Sequence, residues 1–190
     1  MGLGLELGIY ILLTEVLSLF SSLLFLIISV VFIRFYRLYS DFIWIKLFTG
    51  FILLSMSQLT LFIGLIYGEA NVSYAIYTTS PALAFSGGYL IFSSQRRIIK
   101  EISIAPIISP ITLLPMVFDV LASVIFFLAS LGSRGYVRIG MIILALAYLG
   151  RGIWIISPDP FAHISLLLAS ELIRCIGAVT MTIAYVRRSI

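Results

Sequence analysis

The sequence predicts an all-α, polytopic transmembrane helical bundle, and three observations predict it. Of 190 residues, 62% are hydrophobic and only 11% charged, whereas a soluble domain carries about 25% charged residues. Mean hydropathy is +1.19. The apolar residues also run in stretches of about 20, the length that crosses a hydrocarbon core of about 30 Å. Cys175 is the only cysteine, which excludes a disulfide scaffold and a thiolate metal site.

Taken in order, five stretches qualify as spans: residues 7–33, 46–67, 74–95, 139–157 and 162–186. The first follows a start that carries Glu6 and lacks the cationic residues of a secretory signal, so it is expected to stay in the membrane. The ambiguous region is the apolar run 102–132, interrupted by Pro106, Pro110 and Pro115. Its length argues for one crossing, being short for two helices of about 20 residues plus a turn. Its charges argue for two. Arg34, Arg37 and Lys46, then Arg96, Arg97 and Lys100, then Arg134 and Arg138, then Arg187 and Arg188 all fall on one side if the region crosses twice. The opposite loops then hold Glu69, Asp159 and His163 and no Lys or Arg. With a single crossing the orientation bias nearly vanishes.

The expectation is therefore seven segments in a 3+1+3 plan, with six as the alternative. Residues 1–100 form the first three-helix unit, 101–115 a short proline-broken linking segment and 116–190 the second unit, all in one membrane domain. The N-terminus lies outside and the C-terminus in the cytoplasm. Tyr36, Tyr39, Trp44 and Tyr136 beside the basic loops, and Tyr67, Tyr74, Tyr77 and Trp154 near the acidic ones, read as interface belts.

The two ends of the chain resemble each other. Arg34-Phe-Tyr36-Arg37 matches Arg134-Gly-Tyr136-Val-Arg138, Gly50 matches Gly140, and Arg96-Arg97 matches Arg187-Arg188. Upstream, Glu15-Val-Leu-Ser pairs with Asp119-Val-Leu-Ala-Ser. An internal repeat of two three-helix units with equivalent ends on one side needs an extra crossing between them. That arrangement of parallel repeats is similar in plan to SWEET-type sugar carriers. The likeness is architectural, and none of that family's motifs is present.

Charged residues inside a span cost about 2.5 to 3.5 kcal/mol each at the centre on insertion scales, so each needs a reason. Glu15, Asp119, Arg151, Glu171 and Arg174 are placed there, with Gln58 and Tyr148 at corresponding positions of the second helices. These seven form the candidate binding site, expected to open outward, with the arginines holding an anionic group or Glu15 and Asp119 exchanging protons. The alternative is that acids and arginines neutralise one another as struts between helices. Glu171 and Arg174, three residues apart, face the same side and suit a local pair. Small residues in the third helices (Ala82, Ala84, Ser86, Gly87 and Gly88, then Ser170, Gly177 and Ala178) allow close helix approach.

No catalytic motif is present, no cofactor or metal site is expected, and an enzyme is the least favoured class. His163 is the only histidine, which excludes bis-histidine haem ligation. Lys46 and Lys100 lie in or beside basic loops, leaving no buried lysine for a retinal Schiff base. The basic residues flank spans, so nucleic acid is not an expected partner. The expected partners are the lipid bilayer, a small solute or ion, and further subunits of the same or another chain. The favoured function is a small transporter or carrier; the alternative is a non-catalytic membrane subunit or sensor module packing against larger partners.

Overall fold

The computed structural model describes residues 2–67, 70–95, 114–154 and 160–189, and in these the chain is entirely helical. The helices are α1 (Gly2–Tyr39), α2 (Phe42–Tyr67), α3 (Ala70–Ser94), α4 (Leu114–Gly132), α5 (Tyr136–Trp154) and α6 (Pro160–Ser189). Four contain stretches long and apolar enough to cross a membrane: Gly8–Tyr39, Phe42–Tyr67, Tyr136–Ile153 and Ala162–Arg187. Met116–Gly132 of α4 is a shorter apolar helix.

α1 continues beyond the expected end of the first span, through Arg34 and Arg37, because no glycine or proline lies between Gly8 and Ser40 to stop it. It ends where Ser40 takes φ 52° and its N–H donates to the Tyr36 carbonyl at 2.8 Å. That is a left-handed C-terminal stop made without glycine. Asp41 then caps α2 by accepting the Ile43 N–H at 3.0 Å, so two residues reverse the chain. At the corresponding turn between α4 and α5, Gly135 supplies the positive φ of 60°. α3 passes through Pro81, which removes one backbone donor and is tolerated within a packed bundle.

The helices form a ring in chain order, each packing on its two neighbours and α6 closing on α1. Neighbours joined by short turns are antiparallel. Two seams are parallel. Gly88 of α3 faces Ile125 and Phe126 of α4, and Gln95 Nε2 donates to Ser133 Oγ at 2.9 Å, so the C-terminal ends of these helices meet. Likewise Phe32 and Tyr185 stack edge to face at 4.8 Å, joining the C-terminal ends of α1 and α6. The described basic residues Arg34, Arg37, Lys46, Arg134, Arg138 and Arg187 consequently share one end of the ring.

The described residues thus hold six helices, not the seven segments expected from charge. The expected linking segment 101–115 lies outside the described residues except for its last two positions, where α4 begins. Because these two helices are parallel, α3 ends at the basic end and α4 begins at the opposite one.

Packing inside the ring is made by Phe25, Ile28 and Phe32 of α1, Phe51 and Leu54 of α2, Ala84 and Ile91 of α3, Phe126 of α4, Met141 and Leu144 of α5, and Ala178 and Met181 of α6. The outer face is apolar too, with Leu12, Val16, Leu23 and Phe127 exposed, as a lipid-facing surface requires. Glycines bring helices together. A Cβ on Gly87 would stand 2.7 Å from the Gly50 carbonyl oxygen, and one on Gly50 would stand 2.9 Å from the Gly87 oxygen. Between α5 and α6 the same role falls to Gly140, against Gly177 and Met181. Gly177 in turn faces Ile143 and Leu144, as Gly87 faces Leu53 and Leu54. The two sets of contacts lie 90 positions apart in the chain.

The buried faces of α1 and α4 follow a different offset. Ser18, Ser21, Ser22, Leu24, Phe25, Ile28 and Ser29 are buried in α1, and Asp119, Ala122, Ser123, Ile125, Phe126, Ala129 and Ser130 are buried in α4. This register sets Ser18 against Asp119. The sequence alignment had set Glu15 there, one helical turn away and only half-buried.

Candidate binding site

Six of the seven residues expected from sequence come together inside the ring. Gln58 is carried by α2, Asp119 by α4, Tyr148 and Arg151 by α5, and Glu171 and Arg174 by α6; all are at most 1% exposed. Glu15 is half-buried on α1 and forms no ion pair among the described residues. From Arg187 at the basic end, Arg174 lies about 20 Å along α6 at 1.5 Å per residue.

Two ion pairs organise the cluster. Arg151 Nε lies 3.2 Å from Asp119 Oδ2, without the alignment of a hydrogen bond. Arg174 Nη1 contacts Glu171 Oε1 across one turn of α6 and also donates to Gln58 Oε1 at 3.1 Å. Arg174 covers the ring of Tyr148 at 4.5 Å, and the other partner of that ring is Phe126, stacked at 5.4 Å with 3° between planes. The guanidinium is thereby fixed by a carboxylate, an amide and an aromatic face at once.

α3 joins the cluster through Ser80, which none of the sequence arguments singled out. Arg151 Nη2 donates to Ser80 Oγ at 3.0 Å. Ser57 of α2 donates to the Ser80 carbonyl at 2.7 Å, and the two serine hydroxyls lie 3.2 Å apart. Serines at such positions usually bond to their own helix, as Ser29 does to Leu26, so sequence gave no sign that Ser80 reaches across to an arginine. Helices α2 to α6 thus all contribute side chains to the cluster, Ser57 and Gln58 of α2 reaching its two ion pairs from adjacent positions.

The two acids and two arginines balance in formal charge, yet many polar atoms are left over. Arg151 Nη1, Arg174 Nε and Nη2, Gln58 Nε2 and the Tyr148 hydroxyl are buried without a hydrogen-bond partner, as are Glu171 Oε2 and both Asp119 oxygens. A buried polar group left unpaired costs about 1 to 3 kcal/mol, and native interiors hold few of them. Most of the spare groups here are donors. The arrangement offers a sealed, five-helix site that presents guanidinium and amide N–H groups, with carboxylates close by.

Among the described residues no group of three His, Cys, Asp or Glu could hold a metal ion. No family model, curated protein or solved structure matches the chain.

Proposed function

We propose that the chain is a small membrane carrier whose buried cluster binds the anionic group of a small solute. The observation that carries this reading is the set of unpaired donors on Arg174, Arg151 and Gln58, fully enclosed where helices of both units meet. A carboxylate or similar oxyanion would accept from several of them, and bidentate acceptance by a guanidinium is a preferred geometry. Asp119 and Glu171 then keep the empty site neutral, and their unpaired oxygens suit a solute that also carries a donor. Intramembrane ionisable residues that pair with one another and face a bundle interior are the usual mark of a solute pathway.

The accompanying topology places the basic end in the cytoplasm by the positive-inside rule, with the N-terminus outside. It also has residues 96–113 return across the bilayer, which the parallel course of α3 and α4 supports. A common origin for the two units is supported by the glycine contacts repeated 90 positions apart. Parallel repeats around a site near the midplane are one established plan for a carrier, and opening of the cluster outward would follow from rocking one unit against the other.

The pairwise balance of charge favours a second reading, in which the cluster is only a strut holding five helices in a non-catalytic membrane subunit. Purified protein distinguishes the two. On the carrier reading, one or more of a panel of small carboxylates, amino acids and phosphate raises the melting temperature and exchanges across proteoliposomes. The charge-neutral pair E171Q/R174Q, tested because R174Q alone strands a carboxylate, then folds but loses both effects. If no panel member stabilises the protein or moves, the strut reading stands.

A further inference from the structure

A cavity of about 360 Å³ lies at the basic end of the ring, separated from the charge cluster by the aromatic and aliphatic core. All six helices or their ends line it, and the side chains that matter are Phe32, Trp44, Gln95, Ser133, Arg134 and Tyr185. A second compartment of about 270 Å³ is wholly aromatic, lined by Phe32, Phe35, Tyr39, Trp44 and Tyr185 along the seam of α1, α2 and α6. Phe32, Trp44 and Tyr185 belong to both. The larger one therefore sets Ser94, Gln95, Ser133 and a single cation into an otherwise apolar lining, the smaller is an aromatic groove, and they share a wall.

The charges decide what kind of molecule fits. Arg134 is exposed and forms no ion pair among the described residues, and no acid lines the larger cavity. Around it stand Arg34, Arg37, Lys46, Arg138 and Arg187, against Asp41 as the one acid at this end among the described residues. A free phosphate would leave the aromatic groove unused. A zwitterionic headgroup would bring its ammonium into a basic rim. We propose that these two compartments bind an anionic phospholipid from the leaflet at the basic end. The phosphate meets the Arg134 guanidinium, which is the donor here because the Ser133 hydroxyl already donates to the Ala129 carbonyl, and the first part of an acyl chain lies against Phe35, Tyr39 and Trp44. Basic pockets between membrane helices at the cytoplasmic face hold anionic headgroups in this way. The seam concerned joins α1 to α6, so the lipid clamps the two three-helix units together at one of their two contacts. This site is distinct from the buried cluster, and its test does not depend on whether the chain carries a solute.

Trp44 provides the probe, because Trp154 is the only other tryptophan. In a W154F protein reconstituted into vesicles, brominated-acyl phosphatidylglycerol competes with unbrominated phosphatidylcholine, and Trp44 quenching reports the relative binding constant. The expected preference for phosphatidylglycerol is about five-fold, the contribution of one basic residue near an anionic surface. R134Q should bring the preference close to parity, and R138Q, which changes an exposed cation outside the cavity, should leave it in place. Both arginines are exposed, so neither change removes a buried group. Equal quenching by both lipids, a preference that survives R134Q, or an equal loss in R138Q would overturn the proposal. So would displacement of the brominated lipid by inorganic phosphate, which would make this a site for a free anion.

Discussion

The Asp119–Arg151 pair offers the sharpest test of how the cluster is held. Its Nε–Oδ2 separation of 3.2 Å corresponds to an attraction of about 5 kcal/mol at an effective dielectric of about 20. Burial of both groups offsets much of that gain. Removing one partner is a different matter, since the other charge remains enclosed with its counter-charge gone. R151Q strands the carboxylate and D119N strands the guanidinium, and each is expected to cost about 3 to 5 kcal/mol. The double variant D119N/R151Q leaves two neutral amides, so it should be less destabilised than the sum of the single changes by about 2 to 3 kcal/mol. Reversible unfolding in mixed dodecyl sulfate micelles, followed by circular dichroism, measures all three. E15Q serves as the reference, because Glu15 is half-buried and outside the network; it should change stability by less than about 0.5 kcal/mol. Additive single changes would refute the coupling, and costs for R151Q no larger than for E15Q would mean that the cluster does not hold the helices at all.

Three further outcomes follow from the packing. Gly87→Ala places a methyl 2.7 Å from the Gly50 backbone oxygen and should cost about 1 to 3 kcal/mol, whereas Gly8→Ala meets nothing within 4 Å and should be neutral or slightly stabilising; thermal melts compare them. Ser80→Ala removes the acceptor of Arg151 Nη2 and the Ser57 hydroxyl contact, and should cost about 1 to 3 kcal/mol in the same unfolding assay. In a C175S background, single cysteines replacing the exposed Leu38, Tyr136 and Arg187 should all react with an impermeant maleimide from the same side of sealed vesicles; reaction from opposite sides would contradict the shared basic end.

What sequence made legible was whatever carries a large cost in a membrane. Arg151, Arg174, Asp119 and Glu171 stood out because each must be compensated, and the structure brings all four together with Gln58 and Tyr148. The helical class was legible for the same reason. Less visible were features that cost little in isolation. Ser80 and Ser57 look like any other membrane-helix serines until a neighbouring helix supplies an arginine. Phe126 reads as ordinary core, although it stacks on the ring that faces Arg174. Glu15 was drawn into the site by its charge and its alignment with Asp119; depth along a helix is legible to about a turn, and one turn separates it from the buried face at Ser18.

The ring also explains why the cluster is lopsided. Under the proposed duplication, the counterparts of Arg151, Glu171 and Arg174 are Leu61, Pro81 and Ala84, and the α1 residue matching Asp119 in burial is Ser18. Leu61 and Ala84 are buried without exposure, so the first unit has apolar residues at the positions where the second has charges, and only the neutral Ser57, Gln58 and Ser80 beside them. Two equal charged sites would have doubled the cost of enclosing ions and placed like charges opposite one another. One charged site facing a neutral wall that carries Gln58, Ser57 and Ser80 needs only the groups that orient its arginines. The first unit then serves as the template against which the second unit's charges are held, and Gly50 and Gly87 bring its α2 and α3 into close contact. A weakened α2–α3 contact should therefore disturb the cluster indirectly, through Gln58 and Ser80, even though neither glycine touches a charged residue.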